Sequence, residues 1–106
     1  MSDAEKQKIM RLYERQFENE QDKQAFIEST SRLEVRLSAV DISFRLYQSE
    51  SQPLTLIEIW FYPDTDTMNW VRSIVDRSSA LLTQFNTKTR SDTFELCRYF
   101  DVCEDD

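Results

Sequence analysis

The chain has 106 residues, carries a net charge of −7 from 20 acidic and 13 basic side chains, and contains neither histidine nor glycine. Without glycine it lacks the glycine-rich loops of dinucleotide sites, P-loops and nucleophile elbows, and without histidine it lacks an imidazole base and a mixed cysteine–histidine zinc site. The composition argues against most familiar enzyme mechanisms, so we expect a non-enzymatic protein with no cofactor and no metal.

The length predicts a single domain over residues 1–106, with flexible termini at 1–3 and 103–106. A composition that is 40% hydrophobic and 31% charged is typical of a soluble folded protein. No apolar run approaches the roughly 20 residues that span a bilayer, and the first residues lack the apolar stretch of a secretory signal. We therefore expect a cytoplasmic protein.

The first predicted element is an amphipathic helix over residues 3–28, because Ile9, Tyr13 and Phe17 follow helical spacing. The apolar stripe fades in the polar run after Phe17. A break around Asn19 would divide this segment into two helices.

Residues 33–47 allow two interpretations. Apolar side chains spaced by three and four residues would form a helical stripe, at Leu33, Leu37, Val40, Phe44 and Tyr47. Alternatively, apolar residues alternate with one parity up to Leu37 and with the other parity from Val40, as they do across a β-bulge. The enrichment in β-branched and aromatic residues favours the strand, which we adopt.

The second strand, over residues 54–62, follows a polar loop at 48–53 and forms a hairpin with the first. Pro63 ends this strand. An amphipathic helix follows, with Trp70, Ile74, Leu81 and Phe85 on one stripe and Asn86 at its C-terminal end. The last strand contains Phe94, Leu96, Phe100 and Val102.

This order, α-β-β-α-β, predicts a two-layer α+β domain in which a small, mostly antiparallel sheet of about three strands packs with two helices. A helical crossover makes the last strand parallel to the second and antiparallel to the first. We therefore place the last strand beside the first, in the spatial order 2-1-3.

The strand at 54–62 is apolar on both faces, since Leu56, Trp60 and Tyr62 flank Glu58 on one side and further apolar residues occupy the other. Two helices stacked on one face would leave the second face free for an interaction. A central strand that is buried on both faces would show the same pattern. In the first case we expect a partner to contact Leu56, Glu58, Trp60 and Tyr62, because large amphipathic side chains dominate interfaces.

Two further groups of residues have plain structural explanations. Asp64, Asp66 and Asn69 resemble the start of a calcium loop, but the glycine and the final glutamate of such a loop are absent, so helix N-capping explains them better. Cys97 and Cys103 are too far apart on one strand for a disulfide, and we expect ordinary free thiols.

The acidity is concentrated near the end of the sequence, where residues 91–106 hold six acidic side chains and one basic side chain. We expect an acidic docking point at Asp101, Glu104, Asp105 and Asp106, suited to a basic protein partner. Direct nucleic-acid binding is disfavoured because it depends on clustered Lys and Arg. The local concentration also weakens the case for a nucleic-acid mimic.

These features predict a small acidic protein-binding module that acts by stoichiometric contact, as an inhibitor, immunity protein or adaptor. One alternative is a homo-oligomeric assembly subunit, for example a homodimer, that uses the two-sided apolar strand. A small enzyme without histidine is the third.

Overall fold

The computed structural model describes residues 7–37, 41–78 and 87–100. Its elements are β1 (Ile9–Phe17), α1 (Glu20–Arg36), β2 (Ser43–Gln48), β3 (Thr55–Tyr62), α2 (Thr65–Ser78) and β4 (Thr87–Glu95). The predicted α+β class with two helices is confirmed. Two details differ, since the order is β-α-β-β-α-β and the sheet has four strands.

The sheet has the strand order β2-β3-β1-β4, and every neighbouring pair is antiparallel. On the central pair Leu12 of β1 lies opposite Ile59 of β3, and on the next pair Phe44 of β2 lies opposite Trp60. The prediction that β4 lies beside β2 is wrong, because β4 pairs with β1. That neighbour could not be foreseen while β1 was interpreted as a helix.

The predicted N-terminal helix is a strand over Ile9–Phe17. Residues four apart share a face in a strand as well as in a helix, so the spacing of Ile9, Tyr13 and Phe17 did not distinguish the two. Between them on the same face lie Arg11 and Arg15, whose charges concealed the alternation of a strand.

The strand predicted over 33–47 is wrong in its first part, because α1 continues to Arg36 and β2 begins only at Ser43. Leu33 and Leu37 are buried one helical turn apart, whereas Val35 between them is 76% exposed. The predicted change of parity falls on 38–40, outside the described residues. The predicted break at Asn19 is confirmed as the start of α1, where Asn19 Oδ1 accepts the Asp22 N–H at 2.7 Å.

The strand β3 and the helix α2 are confirmed. Trp70, predicted on the apolar stripe of α2, is instead 52% exposed. Asp64 caps α2 by accepting the Thr67 N–H at 2.7 Å, and this hydrogen bond holds the pKa of the Asp64 carboxyl below its usual value. The predicted continuation of this helix to Phe85 and Asn86 lies outside the described residues. The last strand occurs earlier than predicted, at Thr87–Glu95, and Val102 also lies outside the described part of the chain.

Both helices pack on the same face of the sheet, which we call the covered face; the opposite face is the open face. One core cluster joins Leu33 and Leu37 of α1 to Met68 and Val71 of α2 across Trp60. A second, smaller cluster contains Phe17, Phe26 and Leu56. Within the described residues, neither helix is long and apolar enough to cross a membrane.

Candidate functional site

The four strand residues predicted to contact a partner are on the covered face. Leu56, Glu58, Trp60 and Tyr62 are each 1–3% exposed. Their alternation on β3 directs all four toward the helices, so the folded monomer offers little of their surface to a protein partner, although Trp60 also lines a cleft. The interface prediction had chosen the face of β3 that the helices cover.

The other residues predicted to contact a partner are the acidic ones near the end of the sequence. Asp101, Glu104, Asp105 and Asp106 lie outside the described residues, and their role in docking stays a prediction. Cys97 is an exposed free thiol, whereas Cys103 is outside the described part. Among the described residues, no group of three or more acidic or cysteine side chains could hold a metal ion.

A buried carboxylate occupies the centre of the covered face. Glu58 accepts a hydrogen bond from Arg15 Nε at 2.9 Å through one oxygen and from the indole N–H of Trp60 at 2.5 Å through the other. A buried ion is tolerated when it is paired and hydrogen-bonded on its remaining sites. These two contacts meet that condition and fix the position of the Trp60 ring.

Arginines surround Tyr13 on the same face. The guanidinium carbon of Arg11 lies 5.2 Å from the centre of the Tyr13 ring and that of Arg15 lies 5.0 Å from it. Arg15 also lies 5.0 Å from the centre of the Phe26 ring. The charged groups of β1 are therefore packed against aromatic rings on the covered face, which is a favourable arrangement for Arg.

Tyr62 extends this cluster toward α2. Its ring stacks parallel to that of Trp60, with 6.2 Å between the ring centres. Burial raises the pKa of the Tyr62 hydroxyl well above its usual value, and the neighbouring Tyr13 and Glu58 raise it further. The neutral phenol is therefore the form that the fold favours.

A cleft of about 440 Å³ opens between the last turns of α1 and the edge of the covered face formed by β2 and β3. Its lining comes from three parts of the chain, namely Thr30, Leu33, Glu34 and Leu37 of α1, Ile42 and Phe44 at the start of β2, and Trp60 of β3. The volume is within the range of small-molecule sites. Trp60 lines this cleft and also donates the hydrogen bond to Glu58 described above.

Most of the described residues that line the cleft are apolar, although polar and apolar atoms share its surface about equally. Phe44 and Trp60 meet edge to face with 4.7 Å between their ring centres. Among the described lining residues, Thr30 supplies a hydroxyl, which donates to the Ile27 carbonyl at 2.6 Å, and Glu34 supplies the one ionisable side chain. A few polar groups in an otherwise apolar cleft are typical of sites that orient small organic ligands.

The open face carries a second apolar surface. Six side chains of the three strands β1, β3 and β4 alternate onto this face, namely Met10, Leu12, Ile57, Ile59, Phe61 and Phe94. No helix of the described chain packs against it. The sequence correctly indicated that β3 is apolar on both sides, but it did not indicate which side the helices cover.

The comparisons with solved structures identify this architecture. The fold is ferredoxin-like. A dimeric ferredoxin-like protein from an uncultured marine organism matches with a TM-score of 0.76 at 14% identity, over 94% of this chain and 96% of that one. A candidate antibiotic biosynthesis monooxygenase from Deinococcus radiodurans matches with a TM-score of 0.75 at 9% identity, over 90% and 98% of the two chains.

A third structure with this fold is SnoaB, a cofactor-independent oxygenase from Streptomyces nogalater. It matches with a TM-score of 0.72 at 8% identity, covering 88% of this chain and 96% of its own. No protein-family model matches the sequence, and no curated protein matches it.

These comparisons correct the predicted function. The prediction of a non-enzymatic inhibitor, immunity protein or adaptor is wrong, because proteins that share this ferredoxin-like fold include oxygenases. The absence of histidine and glycine argues against an enzyme in the sequence, where a small enzyme without histidine is only the third alternative. A cofactor-independent oxygenase needs neither a phosphate-binding glycine loop nor the nucleotide that such a loop holds.

Sequence reasoning also missed most of the cleft. The sequence singles out Trp60 for its size, but it assigns Leu33, Glu34 and Leu37 to a strand, and it gives Phe44 no place in a site. The helical spacing of Thr30, Leu33, Glu34 and Leu37 was the available signal, since positions three and four apart form one face of a helix.

Proposed function

We propose that the chain is an oxygenase-type enzyme that binds a small, mostly apolar organic substrate in the cleft between α1 and the β2–β3 edge. The observation that carries the proposal is the cleft of about 440 Å³, walled by Phe44 and Trp60 on the covered face of a ferredoxin-like fold. The oxygenases that share this fold support the proposal, although at 8–9% identity the likeness establishes the fold alone.

The lining of the cleft suits such a substrate. Five of the seven described residues that line the cleft are apolar, so an organic molecule that enters leaves water and gains contact with aromatic and aliphatic side chains. Dioxygen is itself apolar, and an apolar cleft does not oppose its entry. The hydrogen bond from Trp60 to Glu58 holds one wall in place before a ligand arrives, which lowers the cost of ordering the site.

Binding is tested by filling the cleft. Thr30→Trp places a large ring into the space, whereas Ser31→Trp places the same ring on the next, exposed position of α1 and is the matched control. Calorimetric titration with 1-naphthol is expected to show binding to the wild type and to Ser31→Trp, and at least tenfold weaker binding to Thr30→Trp. Equal affinities in all three proteins would overturn the assignment of the cleft.

Turnover is tested with an oxygen electrode, using 1-naphthol and 1,5-dihydroxynaphthalene as substrates and mass spectrometry of the products. We expect oxygen uptake in the wild type and in Ser31→Trp, and its loss in Thr30→Trp. If a ligand binds but the protein neither takes up oxygen nor forms an oxygenated product, the proposed oxygenase activity is wrong. The chain would then be a small-molecule-binding protein.

We also propose that two copies of the chain associate through the open face. Six apolar side chains lie at neighbouring positions of β4, β1 and β3 on this face, and contiguous exposed apolar surface often marks an interaction site. Two of the proteins with this fold are described as dimeric, which supports the proposal. A basic protein partner has no support from these findings, and a cytoplasmic location stays a prediction.

Association is tested by placing a charge at the centre of the open face. Ile59→Lys is expected to convert a dimer into a monomer at micromolar concentration in sedimentation velocity, because burying an unpaired ammonium is costly. Asn69→Lys adds the same charge at an exposed position of α2 and is the control. A wild-type protein that sediments as a monomer would overturn the proposed dimer.

A further inference from the structure

We infer that the cleft selects organic ammonium ions, that is, ligands with an apolar body and a protonated amine. The inference rests on the proposed function only in that it concerns the same cleft. It goes further because it assigns the charge of the ligand, which the fold comparisons leave open. Three independent features of the cleft favour a cation, and each can be examined separately.

The first feature is the charge of the lining. Glu34 is the one ionisable side chain among the described residues that line the cleft, and it is exposed at the mouth on α1. Asp41, which precedes the lining residue Ile42, adds a second exposed acid. Arg32 is two positions from Glu34 on the helix, and residues at that spacing do not face each other. The one charge on the described lining of the cleft is therefore negative.

The second feature is the end of the helix that borders the cleft. Leu33, Glu34 and Leu37 belong to the last turn and the C-terminal cap of α1, where the Leu37 N–H donates to the Leu33 carbonyl at 2.9 Å. The aligned peptide dipoles of a helix leave a partial negative charge at its C-terminal end. This charge has the same sign as Glu34 and acts on the same side of the cleft.

The third feature is the aromatic wall. Phe44 and Trp60 line the cleft with their ring centres 4.7 Å apart. Aromatic rings attract a cation placed over their faces. Phe44 is the partly exposed ring of this wall, whereas Trp60 is 3% exposed and supports Phe44 from behind. An anionic ligand would meet unfavourable electrostatics from all three features.

The inference is tested with three naphthalene ligands of nearly equal shape, namely 2-naphthylmethylamine as the cation, 2-naphthalenemethanol as the neutral compound and 2-naphthoate as the anion. At pH 7 and low salt we expect the amine to bind about 2- to 5-fold more tightly than the alcohol, the range of an exposed charge pair. The carboxylate is expected to bind most weakly. High salt should reduce the differences, because it screens exposed charges.

Two variants assign the effect to the mouth of the cleft. Glu34→Gln keeps the size of the side chain and removes its charge, so the preference for the amine over the alcohol should shrink about 2-fold or more. Glu28→Gln removes a charge from an exposed position of α1 that does not line the cleft, and it should leave the preference unchanged.

The outcomes separate this inference from the proposed function. If none of the three ligands binds, the cleft is not a small-molecule site and both fail. If the alcohol binds and the amine binds no more tightly, the cleft stands and the selection of cations is wrong. A preference that survives Glu34→Gln unchanged would overturn the role of Glu34.

Discussion

The two faces of β3 have similar sequences but different environments. The covered face presents Leu56, Glu58, Trp60 and Tyr62, all almost fully buried, whereas the open face presents Ile57, Ile59 and Phe61, which are half-buried. The face that contains a carboxylate is the one that the helices cover. Hydrophobicity alone would have placed the helices on the other side.

The difference shows what allows a charged residue into the core. Glu58 is accepted there because Arg15 on the neighbouring strand and the indole of Trp60 satisfy its two oxygens. On β3 the open face is uniformly apolar, but among the described residues nothing covers it. A buried face can therefore be recognised by paired polar groups as well as by its apolar content.

The largest expected effect comes from breaking this pairing. Glu58→Leu removes the carboxylate and leaves the Arg15 guanidinium and the Trp60 N–H without their partner, which should cost about 3–5 kcal/mol of unfolding free energy. The double variant Arg15→Leu with Glu58→Leu should recover part of the loss, because it removes the unpaired charge. Urea denaturation measures both. A single variant as stable as the wild type would contradict the importance of the pair.

The same truncation on the two faces tests the comparison directly. Leu56→Ala creates a cavity in the cluster with Phe17 and Phe26 and should cost about 2–5 kcal/mol. Ile57→Ala on the open face should cost clearly less in urea denaturation at protein concentrations that keep the chain monomeric. Equal losses would mean that the open face is covered as thoroughly as the other.

An alkaline titration probes the burial of Tyr62. The pKa of its hydroxyl is raised in the folded state, so the neutral phenol contributes stability that is complete below the unfolded value of about 10 and is lost as the pH rises above it. The loss should reach at most about 1.4 kcal/mol for each pH unit above 10. Tyr62→Phe should remove this decline, whereas Tyr47→Phe at an exposed position should leave it. Denaturant midpoints of the three proteins between pH 8 and 11 measure this decline in stability.

The smallest effects come from the starts of the two covering helices. Asn19→Ala should lower the unfolding free energy by about 1 kcal/mol through the lost cap of α1, with no dependence on pH.

At α2 the pKa of the Asp64 carboxyl is lowered, so its contribution to stability is present above the ordinary carboxyl pKa and is lost as the pH falls through the lower folded value. Asp64→Asn keeps a capping oxygen and should remove that acid dependence. Thermal melts between pH 2 and 7 provide the comparison.

The sequence predicted the fold class, and it predicted those elements whose hydrophobic pattern is unambiguous. The alternation in 54–62 and the capped helix that follows Pro63 predicted β3 and α2 correctly. In β1 the charges of Arg11 and Arg15 interrupt the apolar positions of the covered face. Their burial depends on Glu58 and on aromatic rings from other elements, which no local window contains.

The cleft could not be predicted because it is assembled from segments that are distant in sequence. Its walls come from α1, from the start of β2 and from Trp60, and α1 was assigned to a strand over the relevant turns. The strand interpretation relied on Val35, a residue that the structure exposes. An exposed apolar residue of this kind produces the alternating apolar pattern of a strand within a helix. Only the packing of the folded chain shows that the residue lies outside the core.

The order β2-β3-β1-β4 also has a consequence for how the chain reaches its folded state. The pairing of Ile9 with Glu95 joins residues 86 positions apart, and it closes the longest loop in the described sheet. Contacts of such long range slow folding, because the chain loses the entropy of a large loop before the pairing stabilises it. While the chain is being synthesised, β1 and β3 can pair as soon as both have emerged, but one edge of β1 stays unpaired until β4 follows. During that interval the nascent chain exposes a strand edge to other molecules.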